Sequence, residues 1–101
     1  MLAFYVTEAY LFAVKTAVFA AGGGRIGSYD CCAWETRGTG QFRPGEGSRP
    51  FLGTLGEVET VTEIKVEMVV AAECVEACVA ALKQAHPYET PAYHVIRMER
   101  F

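Results

Sequence analysis

Two short stretches of this chain carry most of its chemical capacity. The first is Gly38-Thr39-Gly40-Gln41-Phe42-Arg43-Pro44. Its glycines leave backbone N–H groups accessible, and Thr39 and Gln41 add polar reach. Arg43 adds a permanent cation whose planar fork suits a phosphate or a carboxylate. With Arg25 upstream, the residues Arg25, Thr39, Gln41 and Arg43 form a candidate site for a small anionic ligand. The competing expectation is an edge arm that packs Phe42 on a neighbouring subunit and uses Arg43 in an inter-subunit ion pair. The second stretch is His86-Pro87-Tyr88-Glu89. His86 and Glu89 have the donor chemistry for a divalent metal or for proton exchange. Two ligands do not close a metal site, and His94 joins them only if the fold brings it there. The alternative is a histidine that ends a helix, followed by a turn into a strand.

Other patterns point away from familiar chemistry. Gly22-x-Gly24-x-x-Gly27 matches the dinucleotide fingerprint letter by letter, yet it follows a helix and enters a strand. The fingerprint needs the reverse order, so that a helix N-terminus faces the pyrophosphate. Here the negative end of a helix dipole would face it, which makes the run a helix stop. There is no Gly-x-Ser-x-Gly elbow, and Asp30 is the sole aspartate. A pairing of Cys31 or Cys32 with a histidine has no sequence signature. No catalytic constellation emerges, and the chain is expected not to be an enzyme. Cys74 and Cys78 fall on one face of a helix, whereas Cys31 and Cys32 point to opposite faces if they lie on a strand. The four are expected to be buried or half-buried thiols of a reducing compartment, ahead of a metal site or a disulfide.

The elements that must position these groups follow from periodicity. Leu2–Val6 reads as a strand. Thr7 is placed to cap a helix that begins with Glu8 and carries Leu11, Val14 and Val18 inward, ending at Ala21 before Gly22. Ser28–Glu35 is expected as a second strand. Gly38–Pro44 is expected as a short strand returning across a turn near Arg37–Gly38, and Gly45–Gly56 as loop. Glu57–Val70 alternates, with Ile64, Val66, Met68 and Val70 on one side. A second helix spans Ala72–Ala85 with an apolar stripe of Val75, Cys78, Val79 and Leu82. It must stop near His86, because the residue before Pro87 is pushed out of helical geometry. Tyr93–Met98 closes the sheet. The order predicts an α+β, ferredoxin-like βαββαβ sandwich with an extra β-hairpin arm, an antiparallel sheet and both helices on one face. Trp34, Met68, Val70, Tyr93 and Val95 exceed what one small core needs, so some are expected to meet another subunit.

A chain of 101 residues at 51% hydrophobic and 21% charged fits one globular domain, residues 1–101. A net charge of −3, with no basic stripe, excludes a general nucleic-acid binder. The most apolar helix candidate, Tyr10–Ala21, is interrupted by Lys15 and too short for a bilayer. No basic residues follow Met1, so a secretory signal is not expected and a cytoplasmic location follows by default.

The runs Gly24-Arg25-Ile26-Gly27-x-Tyr29, Gly38-Thr39-Gly40-Gln41-Phe42-Arg43-Pro44, Pro50-Phe51-x-Gly53 and His86-Pro87-Tyr88-Glu89-x-Pro91-Ala92-Tyr93 together resemble a known domain. It is the PII/CutA-like domain inserted in the Ngg-one-interacting-factor-three-like (YqfO-type) proteins, here as a free-standing version covering nearly the whole chain. The His-Pro-Tyr-Glu turn also resembles the CutA family. The resemblance implies a ferredoxin-like fold and assembly as trimers. It implies a binding or regulatory role, in which PII relatives hold nucleotides in clefts between subunits. From CutA it implies a divalent metal, with His86 and Glu89 as the matching residues. The di-metal domain of the larger relatives lies outside the match, and its metal chemistry does not carry over. A purely structural assembly domain is the remaining alternative.

Overall fold

The computed structural model describes residues 1–100. Strand β1 (Leu2–Val6) leads into helix α1 (Glu8–Ala20), followed by strands β2 (Trp34–Phe42) and β3 (Glu59–Met68). A 3₁₀ turn (Ala72–Cys74) then opens helix α2 (Val75–Ala85), and strand β4 (Tyr93–Val95) closes the order. The four strands form one antiparallel sheet in the order β2-β3-β1-β4. The protein is therefore α+β, with a four-stranded antiparallel sheet and two helices, an arrangement compatible with the ferredoxin-like sandwich.

Period-two alternation explains where the core sits. Register pairs Leu2 with Met68, Phe4 with Val66 and Val6 with Ile64, so these six side chains share one face. Val14 and Val18 of α1 and Cys78 and Leu82 of α2 complete the same buried cluster. Both helices thus cover that face. Burying each such side chain contributes about 1.5–3 kcal/mol relative to leaving it exposed. Helix α1 ends as its glycines require. Gly22 sits at φ 112°, its N–H donates to Phe19, and the Gly23 N–H donates to Val18. These are the two bonds of a Schellman stop. Thr7 holds the N-cap position but makes no side-chain capping bond. Helix α2 stops at His86, which is extended (ψ 133°) ahead of Pro87.

The structure corrects the expected second strand. Residues 28–33 do not join the sheet; residues 25–31 form an excursion closed by the hydrogen bond from the Cys32 N–H to the Gly24 carbonyl. The strand starts at Trp34 and runs straight through Arg37–Gly38, where a turn is expected from the glycines. Its location explains this: β2 is an edge strand, so Gly38 and Gly40 lose little cross-strand packing. Gly40 is there for close approach, because a Cβ at that position would overlap the Glu63 carboxylate.

The arm exists in a different form from the one expected. Residues 64–68 of β3 lie between β1 and β2, but residues 59–63 pair with Gly38–Phe42 alone. This two-stranded extension projects past the end of β1. It accounts for the elongated shape, 46 × 25 × 24 Å, and for a radius of gyration of 14.4 Å. A compact chain of this length would have about 13 Å. The closing strand is also shorter than Tyr93–Met98, although the Ile96 N–H still donates to the Met1 carbonyl. Finally, Met68 is 3% exposed, and Val70 and Tyr93 pack on this chain's own core. Of the five apolar residues expected as surplus, Trp34 (70% exposed) and Val95 (43% exposed) stay out of it.

Candidate functional site

A cleft of about 330 Å³ runs along the arm, from Tyr5 and Glu63 at its root to Phe42 and Arg43 at its outer end. One wall is the end of β2 with Gln41, Phe42 and Arg43; another is the turn after α2 with Tyr88 and Glu89. Phe51 and Ser48 come from the loop between β2 and β3, and Tyr5 and Glu63 from the sheet.

The turn after α2 is positioned from below by His86, which is 5% exposed. Its Nε2 lies 2.6 Å from the Tyr5 carbonyl oxygen. A carbonyl only accepts, so Nε2 carries the proton and donates. Nδ1 then accepts from the Tyr88 N–H at 3.2 Å. The two bonds fix a neutral imidazole with its proton on Nε2. Burial is the main cause holding its pKa below the ordinary 6.5; the Tyr5 carbonyl and the Glu63 charge oppose it. In this geometry neither ring nitrogen has a lone pair to offer a cation.

Above His86, the Tyr88 hydroxyl donates to Glu63 Oε2 at 2.9 Å. Burial first, then the hydrogen bond and charge of Glu63, push the tyrosine pKa well above 10. Its ring packs edge-on to His86 with centroids 4.7 Å apart. Phe42 lies 6.4 Å from it on the arm side, and Phe51 6.2 Å on the loop side. Phe51 in turn meets Tyr10 of α1 edge to face at 5.5 Å. An aromatic chain therefore runs from α1 through the loop to the arm, the kind of contact that adds about 0.5–1.5 kcal/mol per pair. Glu89 ties the loop down as well, since its Oε2 accepts from the Arg49 N–H at 2.8 Å. The Gly56 N–H donates to the Pro44 carbonyl at 2.8 Å and closes the loop's base.

Of the residues singled out from the sequence, the structure brings Gln41, Arg43 and Glu89 to the cleft. His86 supports it from behind Tyr88. Thr39 is exposed on the arm and does not line the cleft. Arg25 stands at the other end of β3, because its neighbour Gly24 donates to the Val69 carbonyl whereas Phe42 pairs with Glu59. Ten strand residues separate those ends, roughly 30 Å at the usual rise, so Arg25 and Arg43 of one chain do not meet on one small ligand. Among the described residues, Arg37 pairs with Glu8 and Lys15 with Glu35, while Arg43 makes no ion pair. Nor do the described residues place three or more His, Cys, Asp or Glu side chains to hold a metal ion. No helix among them is long and apolar enough to cross a membrane.

Sequence reasoning misses Glu63 and Phe51. Glu63 reads as part of the wet side of an alternating strand, and its role depends on Gly40 lying diagonally opposite. The signal that could find it is the register itself. Phe51 sits in a loop without periodicity.

The geometry can be set beside known proteins. A GTP cyclohydrolase 1 type 2 homolog of Mycobacterium leprae is 44% identical over 94 residues, 93% of this chain and 24% of that protein. The homolog of the same name in Bacillus subtilis is 39% identical over 99 residues, 98% of this chain and 26% of that protein. The crystal structure of a Bacillus cereus protein related to NIF3 superposes with a TM-score of 0.84 at 32% identity, over 98% of this chain and 25% of the other. The chain is related to NIF3-like proteins. It spans about a quarter of the length of the curated relatives it matches. No family model matches it. The relation covers the sheet, both helices and the arm together, since the superposition takes in nearly every residue.

Proposed function

We propose that this chain is a small binding or regulatory module, and that the cleft along the arm receives a small organic anion with a planar body. The observation that carries the reading is Arg43: exposed, without an ion pair among the described residues, and beside a cleft walled by Phe42, Phe51 and Tyr88. The arginine fork offers two parallel hydrogen bonds to a carboxylate or phosphate, and the aromatic faces offer stacking. Gln41 adds an amide at the rim. The curated relatives carry the name GTP cyclohydrolase 1 type 2 homolog, so GTP and GDP head the panel of ligands to try, followed by ATP and simple dicarboxylates.

The finer reading of the fold is PII/CutA-like, assembled as a trimer. Two features support it: among the described residues nothing pairs with the outer edge of β2, and Trp34 is 70% exposed on that strand. In such an assembly a neighbour's arm or edge would complete the cleft. The cytoplasm suits four free thiols.

Thermal-shift measurements with the panel test the ligand. A ligand present at a hundred times its Kd stabilises by about 2.7 kcal/mol, a readily seen rise in Tm. Stabilisation that disappears in Arg43→Ala supports the cleft; no shift with any anion, or an equal shift in Arg43→Ala, removes it. Sedimentation velocity tests the assembly, and a monomer at micromolar concentration counts against the trimer.

A further inference from the structure

The excursion between Gly24 and Cys32 is fixed by hydrogen bonds at two levels. At its base the Cys32 N–H donates to the Gly24 carbonyl at 2.8 Å, and the Gly24 N–H donates to Val69 at 2.8 Å. At its top Ile26 and Tyr29 exchange both backbone bonds, at 3.0 and 2.9 Å. Cys31 and Cys32 close this small frame. Among the described residues Cys31 is the one non-glycine with a positive φ, 55°, and the chain bends there. Side chains other than glycine rarely adopt that region.

The bend changes what two adjacent cysteines can do. On a straight strand their side chains would point to opposite faces, too far apart for one atom to bridge. A left-handed residue at the first position breaks that alternation. Cys31 is exposed and Cys32 is half-buried, with its Sγ 3.5 Å from the Asp30 carbonyl. The backbone under both is already ordered, so ligation adds little entropic cost beyond the two side chains. Soft centres prefer thiolates over nitrogen and oxygen donors. We propose that Cys31 and Cys32 form a two-thiol site for a soft, thiophilic centre such as a trivalent metalloid. The site lies at the opposite end of β2 from the cleft and is independent of it.

Phenylarsine oxide is the probe. In the reaction two S–H bonds and the arsenic–oxygen bond break, two As–S bonds form, and oxygen leaves with both protons as water. Arsenic stays trivalent, so no oxidant is required. Intact mass spectrometry of the reduced full chain is expected to show one adduct per chain with loss of one water. Trypsin then cuts after Arg25 and Arg37, giving a peptide that contains Cys31 and Cys32 and neither of the other cysteines. The arsenic is expected on that peptide. Cys31→Ser and Cys32→Ser are each expected to weaken binding about 100-fold, as loss of one arm of a chelate does. Cys74→Ser is expected to bind as the wild type does. An adduct found on the peptide with Cys74 and Cys78, a dependence on Cys74, or no bidentate adduct on the wild type overturns the proposal. The peptide assignment is made on the wild type, so it stands even if a serine variant folds poorly.

Discussion

Tyr88 and Glu63, 25 positions apart, are joined by a 2.9 Å hydrogen bond that ties the turn after α2 to the root of the arm. Glu63 reaches that position by lying over Gly40, the one place on β2 where its carboxylate would otherwise meet a Cβ. The bond is half-buried and joins an ionised acceptor to a hydroxyl donor, the stronger class of hydrogen bond. It also belongs to the cleft wall, so the support of the arm and the shape of the candidate site depend on the same contact.

Gly40→Ala is expected to push the flexible Glu63 carboxylate aside and to cost about 0.5–1.5 kcal/mol, the net worth of the hydrogen bond from Tyr88 that is lost. Urea unfolding measures it. In a double-mutant cycle with Tyr88→Phe the two effects are expected to be non-additive by at least about 0.5 kcal/mol, because both break the same bond. Strict additivity would show that the alanine is accommodated without moving Glu63.

Acid is expected to weaken the fold through His86. Its folded pKa is held below the unfolded 6.5, chiefly by burial, so the unfolded state takes up the proton first. The neutral histidine's contribution is complete above pH 6.5 and is lost progressively as the pH falls below that value. The midpoint of urea unfolding, followed between pH 7.5 and 5, is expected to fall in that window, and His86→Gln is expected to flatten the slope. An unchanged slope in the variant would place the acid sensitivity elsewhere.

Copper, zinc and manganese offered in equilibrium dialysis are expected to show no binding that depends on His86, because both ring nitrogens are engaged by Tyr5 and Tyr88. Stoichiometric binding that disappears in His86→Ala would mean that the turn opens to admit a metal.

Phe51→Ala is expected to release the loop between β2 and β3. It removes ring contacts to Tyr10 and Tyr88 together, about 1–3 kcal/mol for the two pairs. The readout is local: the Gly56 N–H, bonded to Pro44, is expected to exchange with solvent faster, while amides of β1 exchange as before. Equal acceleration in β1 would show that the loop is not a separate unit.

Much of this fold is legible in the sequence because its core elements obey simple periods. The alternation from Ile64 to Met68, the stripe through Cys78 and Leu82, and the stops at Gly22 and Pro87 each have one physical cause acting locally. The second strand is not legible for the opposite reason. Glycine normally marks a turn, and Gly38 and Gly40 act instead as places for a neighbour's side chain and for an unpacked edge. Nothing within residues 34–42 reveals that. The candidate site divides in the same way. Gln41, Arg43 and Glu89 announce themselves by residue type, and the cleft does hold them. Glu63, Phe51 and Tyr5 join them through register and loop closure, which are properties of the whole chain. His86 is conspicuous as a titratable residue, yet its two bonds make it a prop for the turn.

The division of β3 into an inner half held on both sides and an outer half held on one carries a consequence for how this domain can change. Substitutions at Ile64, Val66 and Met68 are constrained by the buried cluster they share with both helices, whereas the backbone of residues 59–63 pairs with Gly38–Phe42 alone, and only Glu63 among them reaches back to Tyr88. Lengthening the arm by two residues on each strand would keep every side chain on its present face. Lengthening by one would exchange the two faces. Even steps therefore preserve which face of the arm looks toward the cleft, while the loop beyond it would have to rebuild its contacts with Tyr10 and Glu89.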